Sequence, residues 1–132
     1  MGNIPVKYTC DGENVNPPIE ISGVPAGAKS IALICDDPDA PVGTWVHWIV
    51  FNINLNVGKI SENSVPAGAV LGMNDFKKLK YGGPCPPSGV HRYFFLLFRQ
   101  EAQIKKPNLK DVERNIKFNN LLDKLSFINK PI

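Results

Sequence analysis

Residues 45–53 read WVHWIVFNI, and the fold is decided by that stretch. Aromatic and β-branched side chains suit a pleated, packed surface, and a short apolar run of this length predicts a strand buried on both faces. Outward from it, Ser30–Cys35 (SIALIC) and Val90–Arg99 (VHRYFFLLFR) are runs of the same kind. Ile4, Val6 and Tyr8 alternate with small or polar neighbours, which predicts a strand with one buried face. Shorter strands are expected at Ile19–Ile21 and Ala69–Leu71. The 11 Gly and 12 Pro exceed average usage and cluster between these runs, as in a domain of many turns and short strands. Beyond Pro107 the period changes. Asn108 is placed as an N-cap, Leu109, Val112 and Ile116 recur at helical spacing, and Phe118, Leu121, Leu122 and Leu125 form a second set out of phase. That pattern predicts either one helix bent near Asn119 or two short helices.

At 132 residues the chain, 1–132, fits one domain. With 43% hydrophobic and 20% charged residues it has a globular make-up. Lys and Arg outnumber Asp and Glu by only 15 to 12, which argues against nucleic acid as a partner. No apolar run approaches a transmembrane segment, and the opening MGNIPVKYTC lacks the charged and apolar regions of a secretory signal, so a cytoplasmic location is expected. Val6 stands where a myristoylation signal needs Ser or Thr. Cys10, Cys35 and Cys85 are odd in number and lack CxxC spacing. They read as free thiols of a reducing compartment, with neither a disulfide framework nor a metal site.

The chain has two histidines, both on expected strands beside Pro/Gly-rich loops. Side chains alternate along a strand, so Trp45, His47, Ile49 and Phe51 are expected on one face, and His91 and Tyr93 together on one face of the later strand. If both strands share a sheet, two imidazoles and a phenol meet where the loops emerge. A single histidine on an apolar strand is ordinarily a hydrogen-bonded core residue; two at loop junctions point to a pocket. The segment DPDAP, 37–41, presents Asp37 and Asp39 on a loop stiffened by Pro38 and Pro41, although Asp before Pro is also ordinary turn chemistry. GPCPPSG, 83–89, is equally stiff; Gly82 and Gly83 would let backbone approach a ligand, and an X-Pro bond there is a candidate for the cis form. Arg92 faces away from His91 by the period of two, and a structural pair with Asp39 is expected.

DPDAP at 37–41, the WVHW that follows and GPCPPSGVHRY at 83–93 stand in the order and spacing of the two signature regions of the phosphatidylethanolamine-binding proteins, and CDGENVNPPIEISGVPAGAKSIALI resembles the prokaryotic, Raf kinase inhibitor-like branch. The resemblance runs to about Arg99. It implies a mainly β fold, two antiparallel sheets packed as a Greek-key β-sandwich-like domain with one or two short C-terminal helices. It also implies an anion pocket lined by Asp37, His47, Gly83, Pro84, His91 and Tyr93, with Pro38, Asp39, Trp45 and Arg92 as structural neighbours. Phosphate, phosphoethanolamine head groups or nucleotides are the implied ligands, with protein kinase or protease partners, no cofactor, no catalysis and a homodimer. Imidazolium and phenol donors suit phosphate oxygens, because charge-assisted bonds are about twice as strong as neutral ones.

Three other readings compete. An inhibitor of serine proteases or kinases would act by loop insertion. A metal-dependent hydrolase would use Asp37, His47 and His91, although no pair has the short spacing of metal motifs. A thiol nucleophile at Cys85, six residues before His91, lacks an activating context.

Overall fold

The computed structural model describes residues 3–24, 27–85 and 89–100, together with the backbone of 121–129. Its strands are β1 (Ile19–Glu20), β2 (Ser30–Asp37), β3 (Trp45–Ile53), β4 (Lys59–Ile60), β5 (Val70–Gly72), β6 (His91–Gln100) and β7 (Leu121–Asn129). They form two antiparallel sheets: a pair, β1-β4, and a five-stranded sheet in the order β5-β3-β2-β6-β7. The apolar runs at 30–35, 45–53 and 90–99 become the three central strands, because only there are both faces covered.

β2 lies between β3 and β6 and pairs with both. Asp37 is opposite Trp45, and Asp36 is opposite both Val46 and Phe94. The end of β2 and the starts of β3 and β6 therefore meet at one edge of the sheet, where the DPDAP loop and Cys85 also arrive.

The register shows where β3 departs from simple alternation. Ile31 pairs with Ile53 but Leu33 with Val50; Cys35 pairs with Trp48 but Asp36 with Val46. In each interval β3 uses one residue more than β2, which is a β-bulge. Asn52, with φ 58°, sits in the first, and His47 is the extra residue of the second. The bulge reverses the side-chain parity. Trp48 and Val50 pack with Leu33, Cys35, Phe95 and Leu97 on one face, under Ile19, Ile60 and Tyr81. Val46, Ile49 and Phe51 pack with Ala32, Ile34 and Phe98 on the other. The expectation that His47 shares a face with Ile49 and Phe51 is thus corrected. Each large side chain sealed in these clusters, such as Phe51 and Phe95, contributes roughly 1.5–3 kcal/mol.

Two further expectations change. Val6–Tyr8 is a 3-10 turn and not a strand: Pro5 opens it, Tyr8 N–H donates to Pro5 O at 3.0 Å and Thr9 N–H to Val6 O at 3.0 Å. The exposure of Val6 removes the buried face that a strand needed. Leu121, Leu122 and Leu125, expected in a helix, lie in β7, whose residues pair with β6 from His91↔Asn129 to Phe98↔Leu121. Leu121, Leu125 and Phe127 satisfy a period of two while Leu121, Leu122 and Leu125 satisfy a helical one, and the edge of β6 offers backbone groups that must be paired. The helical expectation for 108–120 lies outside the described residues.

Candidate functional site

At the edge where β2, β3 and β6 meet, the chain encloses a pocket of about 260 Å³. Asp37, His47, His91 and Tyr93 line it together with Trp45, Phe76 and Cys85, and Ala40, Pro41 and Val42 form its lip. Four of the six residues expected to bind ligand are thus brought together. Gly83 and Pro84 are not among the lining. Gly83 N–H donates to Asn14 Oδ1 at 2.7 Å, and Pro84 O accepts from Cys10 N–H at 3.1 Å. The Gly83–Pro84 bond is trans, as are all peptide bonds among the described residues. Gly82 and Gly83 are needed for protein contacts: a Cβ would meet the Phe76 ring at 2.6 Å from Gly82, and Tyr8 O at 2.2 Å from Gly83.

Each histidine is held by its Nδ1. The His91 Nδ1–H donates to Asp37 Oδ2 at 2.6 Å, and Asp37 Oδ1 accepts from Asp39 N–H at 2.8 Å, so one buried carboxylate fixes both the ring and its own loop. The His47 Nδ1–H donates to Gly82 O at 2.6 Å; a carbonyl only accepts, so the proton is on Nδ1. Neither Nε2 has a hydrogen-bond partner among the described residues. The two rings flank Tyr93, His47 edge-on with centroids 5.3 Å apart and His91 stacked at 6.4 Å. Burial pushes the His47 pKa below its usual value, only partly offset by the bond to Gly82 O, so this ring is held neutral.

The neighbours of the site divide by the alternation of β6. Arg92, next to His91, points outward and meets Asp39: Nε and Nη2 each donate at 2.8 Å, and Arg92 N–H donates to Asp39 Oδ2 at 2.8 Å. The guanidinium holds the Asp39 carboxyl at about 2. Pro38 is exposed beside the pair, and Trp45 packs edge-on against Phe76 at 5.5 Å.

The wall carrying Phe76 was not anticipated. Asn74 is buried, donating to His47 O at 3.0 Å and Lys80 O at 2.7 Å and accepting from Phe76 and Lys78 N–H at 3.0 and 3.1 Å. Asp75 Oδ2 accepts Val46 N–H at 2.6 Å. An Asn-Asp pair opening a loop is a sign of side-chain-to-backbone turns, but nothing local says that the loop fastens to β3. The cysteines are also corrected. Cys10 and Cys85 form a disulfide, and Cys35 alone is free and buried. Their separation of 75 residues hides the pairing from the sequence. It exists because residues 8–14 run beside 81–85, with Tyr81 Oη–H donating to Tyr8 O at 2.8 Å.

This site lies within a chain that belongs to the phosphatidylethanolamine-binding protein family, whose pattern matches residues 1–128. The chain is 57% identical over 102 residues to a UPF0098 protein of Methanothermobacter thermautotrophicus, covering 74% of this chain and 68% of that one. A UPF0098 protein of Chlamydia pneumoniae is 39% identical over 129 residues, covering 94% of this chain and 81% of that one. For the Aquifex aeolicus relative the covered share of that protein falls to 59%, so the chain spans about two-thirds or less of several relatives. Among solved structures, Escherichia coli YbcL, described as a member of the mammalian PEBP family, superposes with TM-score 0.88 at 28% identity, covering 99% of this chain and 92% of that one. A phosphatidylethanolamine-binding protein homologue from Chlamydia trachomatis gives TM-score 0.82 at 32% identity, covering 96% and 87%. None of these names is an enzyme's, and no helix among the described residues is long and apolar enough to cross a membrane.

Proposed function

We propose that the pocket binds a small anion, phosphate or a phosphorylated head group or nucleotide, and that occupancy serves regulation and not catalysis. The observation that carries this reading is the disposition of the two imidazoles: both line the pocket, both spend Nδ1 on the protein, and both leave Nε2 for a ligand. When protonated, Nε2 is a donor that gives an anion a charge-assisted bond. Asp37 beside His91 offsets the charge that this proton brings.

Neutral His47 presents a lone pair, so it must take up a proton to donate to an anion. Binding then raises the imidazole pKa, and affinity falls as pH rises from about 6 towards 8. Calorimetric titration with phosphate and with methanesulfonate, in buffers of different ionisation enthalpy, tests this. Saturable binding with proton uptake is expected, and methanesulfonate gives the clean pH trend because its charge is constant. Absence of heat and of any thermal shift with both anions overturns the reading.

The metal-dependent hydrolase reading is not favoured, because Asp37 is already bonded to His91 and Asp39, and among the described residues no three His, Cys, Asp or Glu side chains are grouped to hold an ion. Partners of the kinase or protease class would meet the pocket lip, where Val42 is 81% exposed; a homodimer would be read from the same protein by light scattering. As to location, the Cys10–Cys85 disulfide weighs against a reducing cytoplasm, except in thermophiles, whose intracellular proteins do carry disulfides.

A further inference from the structure

A second cleft, of about 400 Å³, shares no lining residue with the histidine pocket. Its floor is Trp48, Tyr81, Val65 and Leu71, and its rim carries Ser64 and Lys80. The rim is built, not incidental. Asn16, itself buried, donates to Ser61 O at 3.1 Å and accepts Ser64 N–H at 3.0 Å, which ties the 61–64 turn to the N-terminal segment. Asn14, with φ 59°, accepts Gly83 N–H and so fixes the opposite side.

Within this frame one donor has no use. Trp48 is 1% exposed and packed in the core, its ring edge-on to Tyr81 at 5.6 Å; the indole N–H has no hydrogen-bond partner among the described residues. Nor is it sealed in. The sole fully enclosed side-chain polar atom without a partner among those residues is Ser30 Oγ. Buried indole N–H groups normally find an acceptor, and the opening available to this one is the cleft that its ring lines. Lys80 adds an ammonium with no ion-pair partner among the described residues. The remaining rim charge, Glu13, lies 3.6 Å from Lys7, which offsets it.

We propose that this cleft is a second binding site, for a small carboxylate with an aliphatic body. The carboxylate accepts from the Trp48 indole N–H and pairs with Lys80, while the aliphatic part covers Val65 and Leu71.

The chain has 2 Trp, and they report on different sites, Trp45 on the histidine pocket and Trp48 on the cleft. Their indole N–H resonances, assigned with Trp45→Phe, are followed while 4-methylpentanoate is added to the full chain. The Trp48 resonance is expected to move saturably and Trp45 to stay. The neutral 4-methylpentanamide should bind more weakly, and Lys80→Ala, an exposed change that leaves the fold alone, should weaken the acid about two- to fivefold. A Trp48 resonance that does not move, or an amide that binds as tightly as the acid, overturns the proposal. Phosphate, added separately, should move Trp45 alone; its failure would count against the anion pocket and leave the Trp48 result standing.

Discussion

Asp37 and His91 are bonded Oδ2 to Nδ1 at 2.6 Å with both side chains almost sealed from solvent, whereas their near neighbours Asp39 and Arg92 form a bidentate pair on the outside. The period of two along β6 sorts the two carboxylates of one loop into different environments. The inner one faces the pocket and the outer one staples the loop down.

The two pairs should respond differently to mutation. Asp37→Asn breaks a buried charge-assisted bond and should cost about 1.5–3 kcal/mol, with anion affinity falling because His91 loses its counter-charge. Arg92→Ala removes a partner that is 55% exposed and should cost about 0–1 kcal/mol, with affinity retained. Chemical denaturation and anion titration of both variants check this; equal losses of affinity would mean that Asp37 acts only through loop placement.

His47 makes stability depend on pH near neutrality. Its folded pKa is depressed below the ordinary imidazole value of about 6.5, so in the interval just below that value the unfolded chain binds the proton and the folded chain does not. Stability contributed by this group is fully present above about 6.5 and is lost as pH falls towards the folded pKa. In anion-free buffer the melting temperature should drop between about pH 7 and 5, and the His47 ring should titrate below the usual range by NMR. His47→Gln should flatten the profile; an unchanged profile would assign the pH dependence elsewhere.

Reduction of Cys10–Cys85 should destabilise the chain. A cross-link spanning 75 residues is worth about 4 kcal/mol in the chain-entropy account, and the Cys10→Ser, Cys85→Ser double variant should melt lower by a comparable amount. Cys35 is a built-in control. It is fully buried, and burial with Asp36 and Asp37 nearby pushes its thiol well up. Alkylation of the native oxidised protein should therefore modify no cysteine, and after mild reduction Cys10 and Cys85 only. Modification of Cys10 without prior reduction would contradict the pairing.

The central strands were legible because covered strands are apolar throughout: WVHWIVFNI becomes β3 residue for residue. That His91 and Tyr93 share a face was legible through alternation, and that Asp37 and His47 join them through the resemblance of the loops. What escaped was non-local. The bulge that makes His47 face Tyr93 is a mismatch between two strands, and no single strand records it. Cys10 and Cys85 meet because two loops run side by side, and Asn74 matters because its loop lands on β3. At 121–125 two of the leucines, Leu121 and Leu125, fit both periods, and pairing with β6 decides between them.

A glycine series separates the roles that the sequence ran together. At Gly83 a Cβ would stand 2.2 Å from Tyr8 O and 2.5 Å from Asn14 Oδ1. The first of these is backbone that the Cys10–Cys85 link and the Tyr81 hydroxyl hold in place, so it cannot step aside cheaply. Gly83→Ala should cost about 1–3 kcal/mol by overpacking. At Gly89 nothing lies within 4 Å but φ is 78°, so Gly89→Ala should cost about 1 kcal/mol from backbone strain alone. At Gly58 there is neither an obstacle nor a positive φ, and Gly58→Ala should be neutral or stabilise by about 0.4–1 kcal/mol through the unfolded chain. Denaturation midpoints for the three variants should fall in the order Gly58→Ala, Gly89→Ala, Gly83→Ala, from highest to lowest. A Gly83→Ala protein as stable as the parent would show that this segment lies farther from Tyr8 and Asn14.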